Sequence, residues 1–201
     1  MVEESIQKIL NIENGFKEIE AEATVIFKKT SIPSIFALST SLLLNDAYQV
    51  RSLAVFLLGN VASAEQGALE IIRDQARKDG NWRVQEVVAK AFDKYCQDKG
   101  YETALADIED WLSDPHPNVC RAVTEGLRIW TGRPYFKTHP EIAIRLISHH
   151  KANPSEYLRK SVGNALRDIS RKFPELVLAE TTNWEKKNPL ITLTLKHVLH
   201  R

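Results

Sequence analysis

A chain of 201 residues, 43% hydrophobic and 26% charged, is long enough to bury a core, and its composition excludes collagenous, disulfide-stapled and disordered classes. The most apolar stretch, Ile35 to Leu44, is broken by Ser and Thr and is too short to span a bilayer, and the acidic start around Glu3 and Glu4 leads into no signal region. Two cysteines, Cys96 and Cys120, form neither a disulfide framework nor a metal spacing, so a reduced, cytoplasmic protein without metal or cofactor is expected. The net charge of +1 hides a split: residues 1–115 hold 12 Lys+Arg against 19 Asp+Glu, and residues 116–201 hold 15 against 7. Such asymmetry either marks a surface for a charged partner or lets the two halves complement each other in the fold.

In chain order, apolar residues recur at helical spacing over 3–10, 16–29, 32–45, 48–62, 65–78, 82–97, 102–113, 117–131, 140–150, 155–172, 175–183 and 188–200. No alternating strand pattern interrupts them. Pro33, Gly80, Gly100, Pro115, Pro117, Pro140, Pro154, Pro174 and Pro189 fall at the joints.

Every second helix resembles the others. Val50, Val84, Val119, Leu158 and Leu190 serve as anchors, 34, 35, 39 and 32 residues apart. Three or four positions later stand Leu53, Val87 and Val88, Val123, Val162 and Leu193, and eight later Leu58, Phe92, Leu127, Leu166 and Val198. A period of this length belongs to stacked helix pairs, each burying its stripe on its neighbours. The expectation is an all-α fold, an α-helical solenoid of HEAT-like helix-pair repeats, as a single domain over 1–201 with five to six pairs. The same register assigns a concave face: Ser52, Glu86, Arg121, Lys160 and Thr192 two positions after the anchors, and Phe56, Lys90, Glu125, Asn164 and Lys196 six after. Trp82 stands one turn before Glu86, so the two share a helix face. The helix over 155–172 flanks its apolar stripe with Arg159, Lys160, Arg167, Arg171 and Lys172, a row suited to water, an acidic neighbour or phosphate.

With that register, the chain resembles the DNA alkylation repair family, the AlkD/AlkC-type HEAT-like alkylpurine DNA glycosylases, from about Tyr48 onwards. The resemblance rests on Asn81-Trp82-Arg83-Val84-Gln85-Glu86, on Val119-Cys120-Arg121-Ala122-Val123, and on Tyr157 to Ile169 followed by Pro174-Glu175-Leu176-Val177. It implies binding of alkylated double-stranded DNA and removal of cationic purines such as 3-methyladenine and 7-methylguanine. Glu86 matches the family's catalytic carboxylate, which stabilises positive charge on the sugar or positions water. Trp82 matches an aromatic neighbour able to face a cation. Arg121 matches a phosphate-contacting arginine, and Arg83, Arg159, Lys160, Asn164 and Arg167 complete the expected DNA-binding set. Three departures accompany it: Glu86 where the AlkD branch has Asp, Asn164 at the second tryptophan position, and fewer residues before Trp82 than a full-length member carries.

Other motifs carry less. His139, His149 and His150 lack further ligands at metal spacing. Cys120 beside Arg121 has no His–Asn constellation and reads as a buried thiol. Trp111 and Trp130 read as core, Trp184 lies near a helix boundary, and no glycine-rich phosphate loop is present. Three functions remain open for a monomeric, membrane-free protein: an alkylpurine glycosylase, a nucleic-acid-binding module without efficient chemistry, and a scaffold for an acidic protein.

Overall fold

The computed structural model describes residues 2–65 and 67–199, and among them every regular element is an α-helix. They are α1 (Val2–Leu10), α2 (Lys17–Phe27), α3 (Ile32–Leu42), α4 (Tyr48–Val61), α5 (Ala68–Lys78), α6 (Trp82–Lys99), α7 (Leu105–Leu112), α8 (Pro117–Trp130), α9 (Pro134–Thr138), α10 (Pro140–Ser148), α11 (Glu156–Ser170), α12 (Pro174–Thr182) and α13 (Pro189–Leu199). Proline opens most of the later helices because its missing N–H falls among donors that a first turn leaves unbonded anyway. The expected helices appear within a few residues of their predicted ends; Gln66 and His200, inside two of them, lie outside the described residues. The short α9 was not expected, since five residues are too few to show a period. It is fixed instead by Phe136, fully buried against Trp130 and Tyr101.

The chain forms two compact units, 1–100 and 101–201. In the first, α4 packs on α2, α3, α5 and α6, and Leu53 to Leu58 are all buried. Gly59 permits the close approach to α6: a Cβ there would lie 2.8 Å from the Ala91 Cα. In the second, α11 packs on α8, α10, α12 and α13. Gly163 does the corresponding work, where a Cβ would lie 2.4 Å from that of His197.

The repeat register holds through four units. Val50, Val84, Val119 and Leu158 are buried, as are Leu58, Phe92, Leu127 and Leu166. The fifth differs by one residue. Asn188 Oδ1 accepts the Leu190 N–H at 2.9 Å, the position at which Asn81 caps α6, so Ile191 is the inward anchor and Leu193 is 44% exposed, while Val198 is buried as the register expects.

A second periodicity lies in the joints. Side chains of Asn45, Asp79, Asp114 and Asn153 each accept the backbone N–H two residues on, at 2.8 to 2.9 Å. The residue after each anchor then donates back into the same joint. Arg51 reaches the carbonyls of Asn45 and Asp46, Gln85 those of Ala76 and Asp79, Cys120 those of Leu112 and Asp114, and Arg159 those of Asn153 and Pro154. Carbonyls in a tight joint that helix bonding leaves over are satisfied by such donors. The pattern is HEAT-like helix-pair repetition written in hydrogen bonds.

Candidate functional site

In the first unit the site begins with what holds the start of α6. The Asp79 side chain, almost wholly buried, accepts from Arg51 Nε at 2.7 Å and Nη2 at 3.2 Å, from Gln75 Nε2 at 2.7 Å and from the Asn81 N–H at 2.8 Å. Burial alone would raise its carboxyl, but those donors, Arg51 foremost, hold it below the usual range. The bond to Asp79 raises the Arg51 guanidinium in turn. Asn81 thus has a fixed backbone, and its side chain caps α6 by accepting the Arg83 N–H at 3.0 Å.

That cap sets Trp82 at the surface, with Arg83 half-buried beside it. Trp82 is 59% exposed, while Trp111, Trp130 and Trp184 are buried. Glu86 follows one helical turn later, half-buried, on the same face of α6. The Arg83 guanidinium lies 4.6 Å from the centroid of the Trp82 ring and 5.1 Å from that of Tyr48, and its Nη2 donates to Asn14 Oδ1 at 3.0 Å. Further along α6, Lys90 Nζ stands 4.6 Å over the Phe16 ring, and Phe16 in turn faces Phe56. The loop before α2 is tied down beside this row: the Tyr48 hydroxyl donates to the carbonyls of Ile12 and Glu13, and the Gln49 amide to that of Ile12.

The first repeat therefore presents less than its register suggests. Ser52 and Phe56 are buried, because α2 and the loop before it pack on α4. Tyr48, Asn14 and Phe16 are the contributors that sequence reasoning missed. Tyr48 had a signal: it stands 34 residues before Trp82, two positions ahead of its own anchor. Asn14 and Phe16 lie in a loop outside the repeat and had none.

In the second unit the Arg121 guanidinium lies 4.8 Å over the ring of Tyr157, an exposed residue at the start of α11. Lys160 Nζ is 2.7 Å from Glu156 Oε1, and this partner holds the Glu156 carboxyl below its usual range. Asp168 collects cations: Arg128 Nη1 donates to it at 3.0 Å, Arg171 lies at 3.7 Å and Arg167 at 4.0 Å. Asn164 is half-buried on the same helix. Arg159 is only 6% exposed, and its guanidinium is turned into the joint before α11. The row of cations read along this helix is thus divided between one that closes a joint and several that share two carboxylates.

Among the described residues no group of three or more His, Cys, Asp and Glu is placed to hold a metal ion, and no helix is long and apolar enough to cross a membrane. His150 is engaged on both ring nitrogens, Nε2 donating to the Leu112 carbonyl at 2.8 Å and Nδ1 accepting from Asn153.

Comparison with known proteins bears on these two surfaces. The crystal structure of AlkD2 from Streptococcus mutans superposes with a TM-score of 0.93 at 47% identity, over 98% of this chain and 95% of that one. A Pseudomonas fluorescens alkylpurine DNA glycosylase, AlkC, solved bound to DNA containing an abasic site analog, is similar in fold alone, with a TM-score of 0.53 at 20% identity over 96% of this chain and 63% of that one. The uncharacterized protein YhaZ of Bacillus subtilis is 29% identical over 100 residues, which are 48% of this chain and 28% of that longer protein. The family model for DNA alkylation repair enzymes matches residues 15–187, through both units and every residue of the candidate site except Asn14. The chain belongs to the DNA alkylation repair enzyme family.

Proposed function

We propose that the chain binds duplex DNA by its phosphate backbone, and that Trp82 and Glu86 are the residues that meet a cationic alkylated purine nucleotide. The observation that carries this is the exposed indole of Trp82 with a carboxylate one turn away on the same helix. An aromatic face attracts a planar cation, and a carboxylate stabilises the positive charge that develops on the sugar as the N-glycosidic bond breaks. The base departs neutral because it already carries the charge, water adds to the anomeric carbon, and Glu86 is suited to accept that water's proton. In the second unit Arg121, Lys160, Arg167 and Asn164 are the phosphate contacts in this reading. The ion pair of Lys160 with Glu156 is solvent-exposed and weak, so it does not compete seriously with a phosphate. Arg159 supports the surface from within.

A second reading, grip without base release, is favoured by two observations: Asn164 stands where the resemblance calls for a second tryptophan, and the Trp82 ring already carries the Arg83 guanidinium. Release of 7-methylguanine and 3-methyladenine from methylated duplex DNA, with protein in excess, separates the two. The first reading expects release above the spontaneous rate, lowered about 100-fold or more in Glu86→Gln while DNA affinity is retained. Release unchanged by Glu86→Gln removes the role given to the carboxylate. No release with binding that weakens steeply with salt supports the second reading. Binding insensitive to salt refutes both.

A further inference from the structure

The guanidinium of Arg83 occupies the feature that a cationic base would use. It lies within cation–π range of two rings, Trp82 at 4.6 Å and Tyr48 at 5.1 Å. Asn14 holds its far end through Nη2 at 3.0 Å, while its Nε is buried with no acceptor among the described residues. An arginine placed to grip phosphate would present its fork to solvent. This one is instead clasped between two aromatic residues at equivalent positions of successive repeats and pinned by the loop before α2.

We propose that Arg83 is a resident cation on the Trp82 ring, a built-in competitor that a cationic purine must displace before it can stack there. The inference rests on Trp82 being the contact for such a base and adds what stands in its way. A neutral base gains too little from the indole to depend on that ring, so Arg83 lowers the affinity for a charged base and leaves that for a neutral one nearly unchanged. Asn14 acts as the latch: without it the guanidinium loses its hydrogen bond and leaves the ring more readily.

Trp82 is the exposed tryptophan among three buried ones, so collisional quenching of intrinsic fluorescence reads its ring selectively. Two titrations on the full chain test the proposal, with Trp82→Phe confirming the source of the signal. The first uses no nucleic acid. Caesium ion, a cationic quencher, is compared with neutral acrylamide in wild type, Arg83→Met and Asn14→Ala. Arg83→Met is expected to raise the caesium-to-acrylamide ratio about twofold or more, with Asn14→Ala between it and wild type, as loss of a competing cation of this strength requires. An unchanged ratio in both variants overturns the proposal whether or not the chain binds DNA.

The second titrates 7-methylguanosine against guanosine at about 0.5 M salt, where charge beyond direct contact is screened. Arg83→Met is expected to bind 7-methylguanosine about two- to fivefold more tightly than wild type, the range of an exposed cation–π contact, with guanosine little changed. Equal or weaker binding by the variant overturns the proposal. A raised caesium ratio without preference for 7-methylguanosine in either protein overturns the assignment to a nucleobase. Failure of the proposed base release shows separately, in the methylated-duplex assay.

Discussion

Replacing Asp79 by Asn removes one charge from a shape that still fits. The carboxylate is nearly inaccessible and takes four donors, two from Arg51 and one each from Gln75 and the Asn81 backbone. An amide has one acceptor oxygen, so its NH2 must face an Arg51 N–H together with either the Gln75 amide or the Asn81 N–H. Breaking a buried ion pair from one side costs about 3–5 kcal/mol. The low end, about 3 kcal/mol, applies here because Arg51 keeps the carbonyls of Asn45 and Asp46 and its side chain is partly exposed. The effect depends on pH with a defined sign. The folded carboxyl sits below its ordinary value of 3.8, so its contribution is full above that value and is lost as pH falls through the lower folded one. Urea unfolding followed by far-UV circular dichroism should therefore show wild type more stable than Asp79→Asn by about 3 kcal/mol near neutrality, with the gap narrowing at about pH 3. A neutral-pH difference under about 1 kcal/mol, or a gap that does not change on acidification, refutes the account. The variant also loosens the Asn81 cap, so caesium quenching of Trp82 should change with it.

The remaining predictions concern the second unit. Gly163→Ala places a Cβ 2.4 Å from that of His197 and 2.9 Å from the Thr194 carbonyl oxygen, so α11 and α13 must separate. Overpacking of this kind costs about 1–3 kcal/mol, against about 0.5–1 kcal/mol regained from helix propensity, and a variant as stable as wild type in thermal unfolding would contradict the close approach. His150 is held below its ordinary pKa, first by burial and then by the nearby His149, with the Leu112 carbonyl opposing. The unfolded chain takes up the proton first on acidification, so stability falls as pH drops below about 6.5. His150→Gln, whose amide still reaches that carbonyl, should flatten this slope between neutral and mildly acid pH, and an unchanged slope excludes His150 as its source.

Much of the fold was legible because helix pairing imposes a single period. Anchors such as Val84 and Val119 must be apolar at every repeat, and the prolines and glycines mark the joints. The last repeat misled by one residue because Leu190 and Ile191 are both apolar. The choice between them falls to the Asn188 cap. Trp82 and Glu86 were legible as a pair because a spacing of four on a helix is geometry. Arg159 was not. Its sequence neighbours place it in a row of surface cations, and only the folded joint shows that two backbone carbonyls claim it.

The sequence by itself determined an all-helical repeat, its register, and which helix carries the tryptophan and the carboxylate, because all three follow from local periodicity. Tertiary structure decided which side chains are available. It buried Ser52 and Phe56 under the leading helices, divided the cations of α11 among Glu156, Asp168 and a joint, and set Arg83 between Tyr48 and Trp82. Those outcomes depend on residues far apart in the chain, and no period carries that information.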